Sequence, residues 1–365
     1  MKQILDQAKA CTECELCNEV CPSYWATGEV LFSPMQRLKT AIKLFEGGEV
    51  SDREIESLYK CLTCMRCDQV CPEEIKISPV VTKARAELCK RGLGPLVRHN
   101  KVIEGILAKG NAVNGDPQKR LEWLPEEFPR NESDTLLYMG CLASYLVKDA
   151  ATSSYQVLKK LGVDFMIMED EGCCGSILFT TGRIDLAGEW SQKIVDRFKS
   201  LGIRRIIVTC PVCQERFKHS YAEVLGGFDF SVYHMAEVIY DLLKDNPDLL
   251  TKVQRTMTYQ DPCLLARGEG ISEEPRRILQ WCGAELKEMP ANRAEATCCG
   301  AGGGVRSAYR DLATKIASNL LNTVETESIV SACPFCTFNL NHAAEEGRMM
   351  KRSTYFAHIV LESLM

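Results

Sequence analysis

The placement of its cysteines limits what this chain can fold into more than any other feature. Twice the sequence sets two cysteines side by side ahead of a glycine, in EGCCGSI (171–177) and TCCGAGGG (297–304). Neighbouring side chains of a strand point to opposite faces, so adjacent thiols reach one centre only where the backbone bends. Glycine permits that bend because it lacks the Cβ that forbids positive φ. A vicinal disulfide or a chance pair of core cysteines is the competing reading, and the remaining cysteines argue against it. All but Cys89 and Cys282 of the 20 fall into two repeats. The first is CTECELCNEVCP (11–22) and CLTCMRCDQVCP (61–72), offset by 50 residues. In the second, Cys141, Cys173, Cys174, Cys210 and Cys213 recur as Cys263, Cys298, Cys299, Cys333 and Cys336, at offsets of 122 to 125. Offsets that constant imply an internal duplication with small loop insertions.

A disulfide scaffold is not expected for a chain of this length and composition. Such scaffolds are short and follow a signal peptide, whereas MKQILDQAKA carries no apolar core and the chain runs to 365 residues. We therefore expect a cytoplasmic protein whose reduced thiols hold metal. The 44 basic and 49 acidic residues are spread along the chain, which leaves no basic stripe for nucleic acid. No apolar run approaches the roughly 18 residues of a membrane span, so membrane contact is expected only through a partner, at the inner face of the membrane.

The spacing C-x2-C-x2-C-x3-C-P is the bacterial ferredoxin run, in which three close thiolates grip one 4Fe-4S cube and the fourth ligates the other cluster. Applied here, one cube takes Cys11, Cys14, Cys17 and Cys71, and the other takes Cys61, Cys64, Cys67 and Cys21. Two tetrathiolate zinc sites are the alternative, but zinc sites rarely use three cysteines at this spacing followed by Cys-Pro. Helices are expected to flank each run, with LFSPMQRLKTAIKLFEGG between them. Two cubes in series act as an electron conduit.

Beyond residue 133, short apolar runs alternate with helical patterns (TLLYMG, VKDAATSSYQVLKKLG, VDFMIM, RIDLAGEWSQKIVDRFKSLG, RRIIVTC), and the second half repeats the alternation. This is the signature of parallel α/β units. Each cysteine group follows an expected strand, at the carboxyl edge where open α/β sheets place their sites. The expected divisions are a two-cluster ferredoxin-type unit at 1–95, a connector at 96–133 and two α/β halves at 134–250 and 251–365.

The second repeat resembles the CCG domain family, and the whole chain is similar to the D-type iron-sulphur component of heterodisulfide reductase, a ferredoxin-like unit fused to two CCG domains. The resemblance implies a helical two-cluster domain followed by two duplicated Rossmann-like α/β domains related by a pseudo-twofold axis. It also implies two noncubane 4Fe-4S clusters, each ligated by five cysteines. One would use Cys141, Cys173, Cys174, Cys210 and Cys213, and the other Cys263, Cys298, Cys299, Cys333 and Cys336. Gly175 and Gly300 then let the backbone approach a cluster, and Gly300, Gly302, Gly303 and Gly304 can aim several N–H groups at sulphur. Helices after CCG, CPVC and CPFC would add favourable dipoles. GAGGG lacks the G-x-G-x-x-G spacing of a dinucleotide loop.

Cys89 and Cys282 are expected to be buried free thiols. The scattered His99, His219, His234, His342 and His358 read as structural or surface residues, although His219 and His342 lie close enough in sequence to CPVC and CPFC to approach a cluster. Family members often carry a histidine in and before DPCHL where this chain has Gln260 and Leu264.

The resemblance implies a catalytic subunit that cleaves a disulfide, coenzyme M to coenzyme B heterodisulfide among the candidates, capturing one sulphur at each noncubane cluster while electrons arrive singly through the cubes. The alternative is an electron relay between a flavin dehydrogenase of glycerol-3-phosphate, glycolate or lactate type and a quinone or membrane cytochrome. No flavin or nicotinamide fingerprint is found, so a flavoprotein or cytochrome b-type partner is expected in either case. A zinc-bound structural protein would leave the ferredoxin runs without a use.

Overall fold

The structure, a computed structural model, describes residues 2–364. The N-terminal unit is helical. Pro34 opens a helix over Pro34–Phe45, where the Ser33 hydroxyl accepts from the Gln36 amide, and Met35, Leu38, Ala41 and Leu44 line its buried face at three-residue steps. Ser51 and Glu54 form a capping box that starts Asp52–Tyr59. Both helices pack on Ile77–Lys90, whose Val80, Val81, Ala84 and Leu88 close a small core against Leu38, Leu44 and Leu58. The cysteine runs wrap the end of this bundle.

The rest of the chain is a duplicated α/β body. Its first sheet is β1 (Thr135–Tyr138), β2 (Arg205–Val208) and β3 (Ser231–His234), all parallel and in that order. The second consists of β4 (Thr256–Gln260), β5 (Glu285–Leu286), β6 (Ser328–Ser331) and β7 (Arg352–Tyr355), parallel in the order β5-β4-β6-β7. The segment VDFMIM does not form a full strand. It touches the first sheet only at Met166, bridged to Leu136, and its counterpart β5 has two residues. Each lies on a sheet edge and turns away at once toward its CCG loop.

The halves are related by a pseudo-twofold axis. Helix Lys148–Lys160 of the first half packs on Phe356–Ser363 of the second, and their counterparts Glu273–Trp281 and Met235–Leu243 pack in the reciprocal pairing. An exchange of equivalent elements across an interface is what twofold symmetry requires. The cores ignore the boundary between halves. One joins Tyr138, Phe198 and Phe217 to Leu320, Ile329 and Leu340, and the other joins Leu137, Ile207 and Ile239 to Met257, Val330 and Phe356. Each such fully buried side chain contributes about 1.5–3 kcal/mol, so the two halves stabilise each other as a single body. The Tyr355 hydroxyl, donating to the Thr209 carbonyl at 2.8 Å, is a polar tie across the same seam.

The connecting segment is more than a spacer. It contains a helix, Val97–Lys109, and sends Trp123 into the shared core and Arg120 beneath the first CCG loop. No helix among the described residues is long and apolar enough to cross a membrane.

Candidate metal centres

In the ferredoxin-type runs, four non-glycine residues have left-handed backbone at matching positions: Glu13 and Glu15 in the first, Thr63 and Met65 in the second. Left-handed backbone at such residues costs of order 1 kcal/mol each and persists only where surroundings impose it. The bends curl each run around a cavity. Cys11, Cys14, Cys17 and Cys71 line one, and Cys21, Cys61, Cys64 and Cys67 line the other. The fourth cysteine of each run thus stands with the other run's three, the crosswise grouping expected from the spacing.

The two cavities differ in charge. The first is rimmed by Glu15 and Glu73, and its Cys14 is exposed. The second is buried and faces arginine. Arg37, 1 % exposed, donates to the Ser57 carbonyl, the Ser23 hydroxyl and, at 3.5 Å, the Cys21 sulphur. Arg85, 0 % exposed, donates to the carbonyls of Leu58, Cys61, Thr180 and Gly303. Neither has a carboxylate partner among these bonds. A buried cation without a counterion is costly, and the Cys21, Cys61 and Cys67 thiols are the acidic groups that act on Arg37. An anionic group held by those sulphurs fits the site, whereas four neutral thiols would leave the guanidinium uncompensated.

In the first α/β half, Cys141 sits just beyond β1 in helix Gly140–Tyr145, Cys173 and Cys174 lie on the edge loop, and Cys210 caps helix Pro211–Glu215 just beyond β2. Gly175 takes φ +69°, and its added Cβ would lie 2.8 Å from Trp190 Cδ1. The bend expected at CCG is therefore present. Trp190 donates to the Cys173 carbonyl at 2.8 Å, and the Gly175 amide faces the Cys173 sulphur. In the second half Cys263 follows β4, Cys298 and Cys299 follow β5 by a loop, and Cys333 caps helix Pro334–Glu346. The helices of CPVC and CPFC begin inside these motifs, not after them, with proline in the first turn.

Each CCG loop is braced by a buried ion pair. Glu171 accepts from the Met139 and Gly140 amides and pairs with Arg120. In the second half the carboxylate comes from the strand end instead: Asp261 accepts from the Arg293 amide and pairs with Arg276, which also binds Glu288.

All ten CCG-type cysteines line one cavity of about 250 Å³ spanning the pseudo-twofold axis. Its walls are mostly apolar, including Val102, Val113, Leu142, Ile177, Leu264 and Phe335, with Arg216 and Arg306 among the few polar groups. The thiols act on one another in succession. Cys141 and Cys173 stand 3.7 Å apart, Cys174 meets Cys173 and Cys213, and Cys213 meets Cys210. Cys210 then meets its own symmetry mate Cys333, and the chain continues through Cys336, Cys299 and Cys298. Cys298 in turn meets Cys64 of the ferredoxin-type unit. Thiols donated by Cys173 and Cys213 lower Cys174 to about 6, and contact with Cys298 lowers Cys64 to about 6, while burial pushes Cys17 up to about 12. Burial and the neighbouring thiols push most of the other CCG-type cysteines up, so only a positive centre such as a metal would hold a whole set deprotonated.

The GAGGG loop has a second use that its sequence does not reveal. A Cβ on Gly303, at φ +63°, would stand 2.7 Å from the Leu62 carbonyl carbon, and one on Gly302 would stand 2.9 Å from the Leu62 oxygen. These glycines let the ferredoxin-type loop lie directly against the second half. His219 and His342 do not approach the cavity: His219 is exposed and paired with Glu269, and His342 lies beside Arg310 and Glu346. His99 and His234 are buried, bonded to the Gly304 and Thr209 carbonyls, and His358 pairs with Glu362. Cys282 is buried as expected. Cys89 is only partly so, its thiol donating to the Thr181 carbonyl at 3.3 Å. Arg37, Arg85, Arg120 and Arg267 carry no signal in the sequence, since a lone arginine in a helical pattern reads as a solvated residue.

Comparison with known proteins identifies both kinds of unit. The 4Fe-4S dicluster domain family matches residues 7–75, and the cysteine-rich domain family named CCG matches twice, at 135–218 and 257–341. The chain is 32% identical to the D component of the dihydromethanophenazine:CoB–CoM heterodisulfide reductase of Methanosarcina mazei, over 92% of this chain and 89% of that one. It is 28% identical to the B component of the fumarate reductase (CoM/CoB) of Methanothermobacter marburgensis, over 93% of this chain and 68% of that one. Identity to the glycolate oxidase iron-sulfur subunit of Escherichia coli is 23%, over 98% and 94%.

Proposed function

The chain belongs to the family of the D-type heterodisulfide reductase components, iron-sulphur proteins with a dicluster unit and two CCG domains, and on that basis we propose that it is the catalytic subunit of a disulfide-reducing complex. The single observation that carries this reading is the common cavity lined by all ten CCG-type cysteines. A disulfide seated there would meet one cysteine set from each side of the pseudo-twofold axis. We assign Cys11, Cys14, Cys17 and Cys71, and Cys21, Cys61, Cys64 and Cys67, to two cubane clusters. The five cysteines of each half hold a noncubane cluster. These clusters supply the one-electron steps of disulfide reduction.

The protein's own groups have definable tasks. The apolar wall excludes water from the sulphur atoms, and Arg216 and Arg306 supply the positive charge at the cavity. Arg37 and Arg85 compensate the anionic centre of the second ferredoxin-type set. Gln260 and Leu264 stand where related chains often have histidine. Protons for the departing thiols therefore come from another source, and the disulfide handled here need not be that of the methanogenic enzymes. The relay reading draws support from the resemblance to the glycolate oxidase protein, and partner subunits supply or take electrons under either reading.

Iron analysis of anaerobically purified protein is expected to give about 16 irons per chain, four in each of four clusters. Cys174→Ser and Cys299→Ser are each expected to abolish disulfide turnover with a direct artificial donor. Disulfide turnover that survives the loss of either set would refute the shared-cavity mechanism, whereas intact protein with all its iron that turns over no disulfide with that donor would leave the relay as the better reading.

A further inference from the structure

The sequence stretch DPCLLARG contains an arginine to which neither the duplication nor the cysteine pattern gives a role. Arg267 lies in the short helical turn Leu264–Gly268, one turn beyond Cys263. Its side chain crosses from the second α/β half to the ferredoxin-type loop. Nε donates to the Cys64 carbonyl at 2.7 Å, and Nη1 donates to the Ala296 and Ala294 carbonyls at 2.6 and 3.1 Å. One guanidinium thus fastens the backbone of Cys64 to the residues just ahead of Cys298. Its Nη2 is buried without a partner. It forms no ion pair among the described residues, and the acidic groups acting on its charge are the thiols of Cys64, Cys263, Cys298 and Cys67, in that order.

This is where the two kinds of cysteine set meet. Cys64 and Cys298 face each other in a small apolar cluster with Ala26, Leu62, Val305, Ala313 and Ile316. The CCG-type cysteines in that cluster, Cys298 and Cys263, belong to the second half, while those of the first half lie in a different cluster across the shared cavity.

We propose that Arg267 is the positioning residue of this junction, holding the Cys21/Cys61/Cys64/Cys67 centre against the second-half centre and favouring its reduced state with a full positive charge. The second half is in consequence reduced before the first. The inference rests on the cluster assignment above. Positive charge beside an iron-sulphur centre favours the electron-rich state, and hydrogen bonds and net charge are among the established determinants of its potential. The planar fork fixes two backbones at once, which a point charge on a flexible stem does less well.

The test compares wild type with Arg267→Gln and Arg267→Lys, using anaerobic redox titration followed by EPR and freeze-quenched reduction of each centre. Arg267→Gln is expected to lower the potential of the Cys21/Cys61/Cys64/Cys67 centre and to slow reduction of the second-half centre at least about tenfold, a scale typical of small misplacements. Arg267→Lys is expected to restore the potential but not the rate. If the Gln variant fails to load iron, the Lys variant still tests positioning, as slowed transfer at an unshifted potential. Normal iron with wild-type potential and transfer rate in the Gln variant would overturn the proposal, as would reduction of the first-half centre ahead of the second. Wild type that holds zinc in place of iron would instead defeat the cluster assignment itself.

Discussion

Replacing Arg85 by methionine should loosen the ferredoxin-type unit from both α/β halves. The guanidinium is fully buried and makes five N–H···O bonds to four carbonyls: Leu58 and Cys61 in its own unit, Thr180 in the first half and Gly303 in the second. Methionine fills much of the same volume, so the change removes charge and hydrogen bonds while leaving little cavity. Bonds to a charged donor are worth about 1.5–3 kcal/mol each, but burying the guanidinium cancels much of the sum. What remains is the cost of the Cys61, Thr180 and Gly303 carbonyls losing their donor, while Leu58 keeps the Cys61 amide at 3.4 Å, and a buried acceptor left unsatisfied costs about 1–3 kcal/mol. We expect Arg85→Met to lose about 4 kcal/mol, and Arg85→Lys, with three donors on a flexible stem, to lose less. Urea unfolding of anaerobic protein, followed by fluorescence and by visible absorption of the iron-sulphur centres, measures the loss. Limited proteolysis near Gly92 and Gly94 should separate the unit sooner in the variant. A methionine variant within about 1 kcal/mol of wild type would refute the reasoning, because three buried carbonyls cannot lose a shared donor that cheaply.

Gly303→Ala forces a Cβ to 2.7 Å from the Leu62 carbonyl carbon at a φ of +63°, and should cost about 1–3 kcal/mol and slow electron delivery to the second half. Gly92→Ala, at φ +71° with open space around it, carries the backbone strain alone, and equal transfer rates in the two variants would show that the close approach does not matter. Acid should destabilise the protein by a separate route. Burial holds the His99 and His234 imidazoles at about 4, below the ordinary 6.5, so unfolding takes up protons between those values. Stability from this source is full above about pH 6.5 and is lost as pH falls toward about 4, by up to about 1.4 kcal/mol per pH unit for each histidine. Urea midpoints at about pH 7 and about pH 5 report the slope, and a His99→Gln, His234→Asn double variant that keeps the wild-type slope contradicts the assignment.

Features that depend on short stretches of backbone are legible in the amino-acid order. The C-x2-C-x2-C-x3-C-P runs bring their thiols together through local bends at Glu13, Glu15, Thr63 and Met65, and CCG does so through Gly175 and Gly300. The near-constant offsets of the second repeat carry the duplication, and with it the matching parallel sheets and the pseudo-twofold pairing of helices. VDFMIM fails as a strand because an edge segment that must turn into the CCG loop has room for one bridge, which hydrophobic periodicity cannot register. How the units meet is a matter of long-range packing. Arg85 reaches carbonyls 95 and 218 residues away, and Arg267 reaches one 203 residues away. Nothing within a few residues of either distinguishes it from a solvated arginine. The same holds for the contact of Cys64 with Cys298: both cysteines announce themselves as ligands, but which half brings its cysteines next to the ferredoxin-type set depends on glycines at 302 and 303 that admit the Leu62 backbone, where the equivalent stretch after Cys174 builds a helix over Ser176–Thr181. Ligand sets are local and can be read from spacing, whereas the order in which they are wired comes from packing between distant segments.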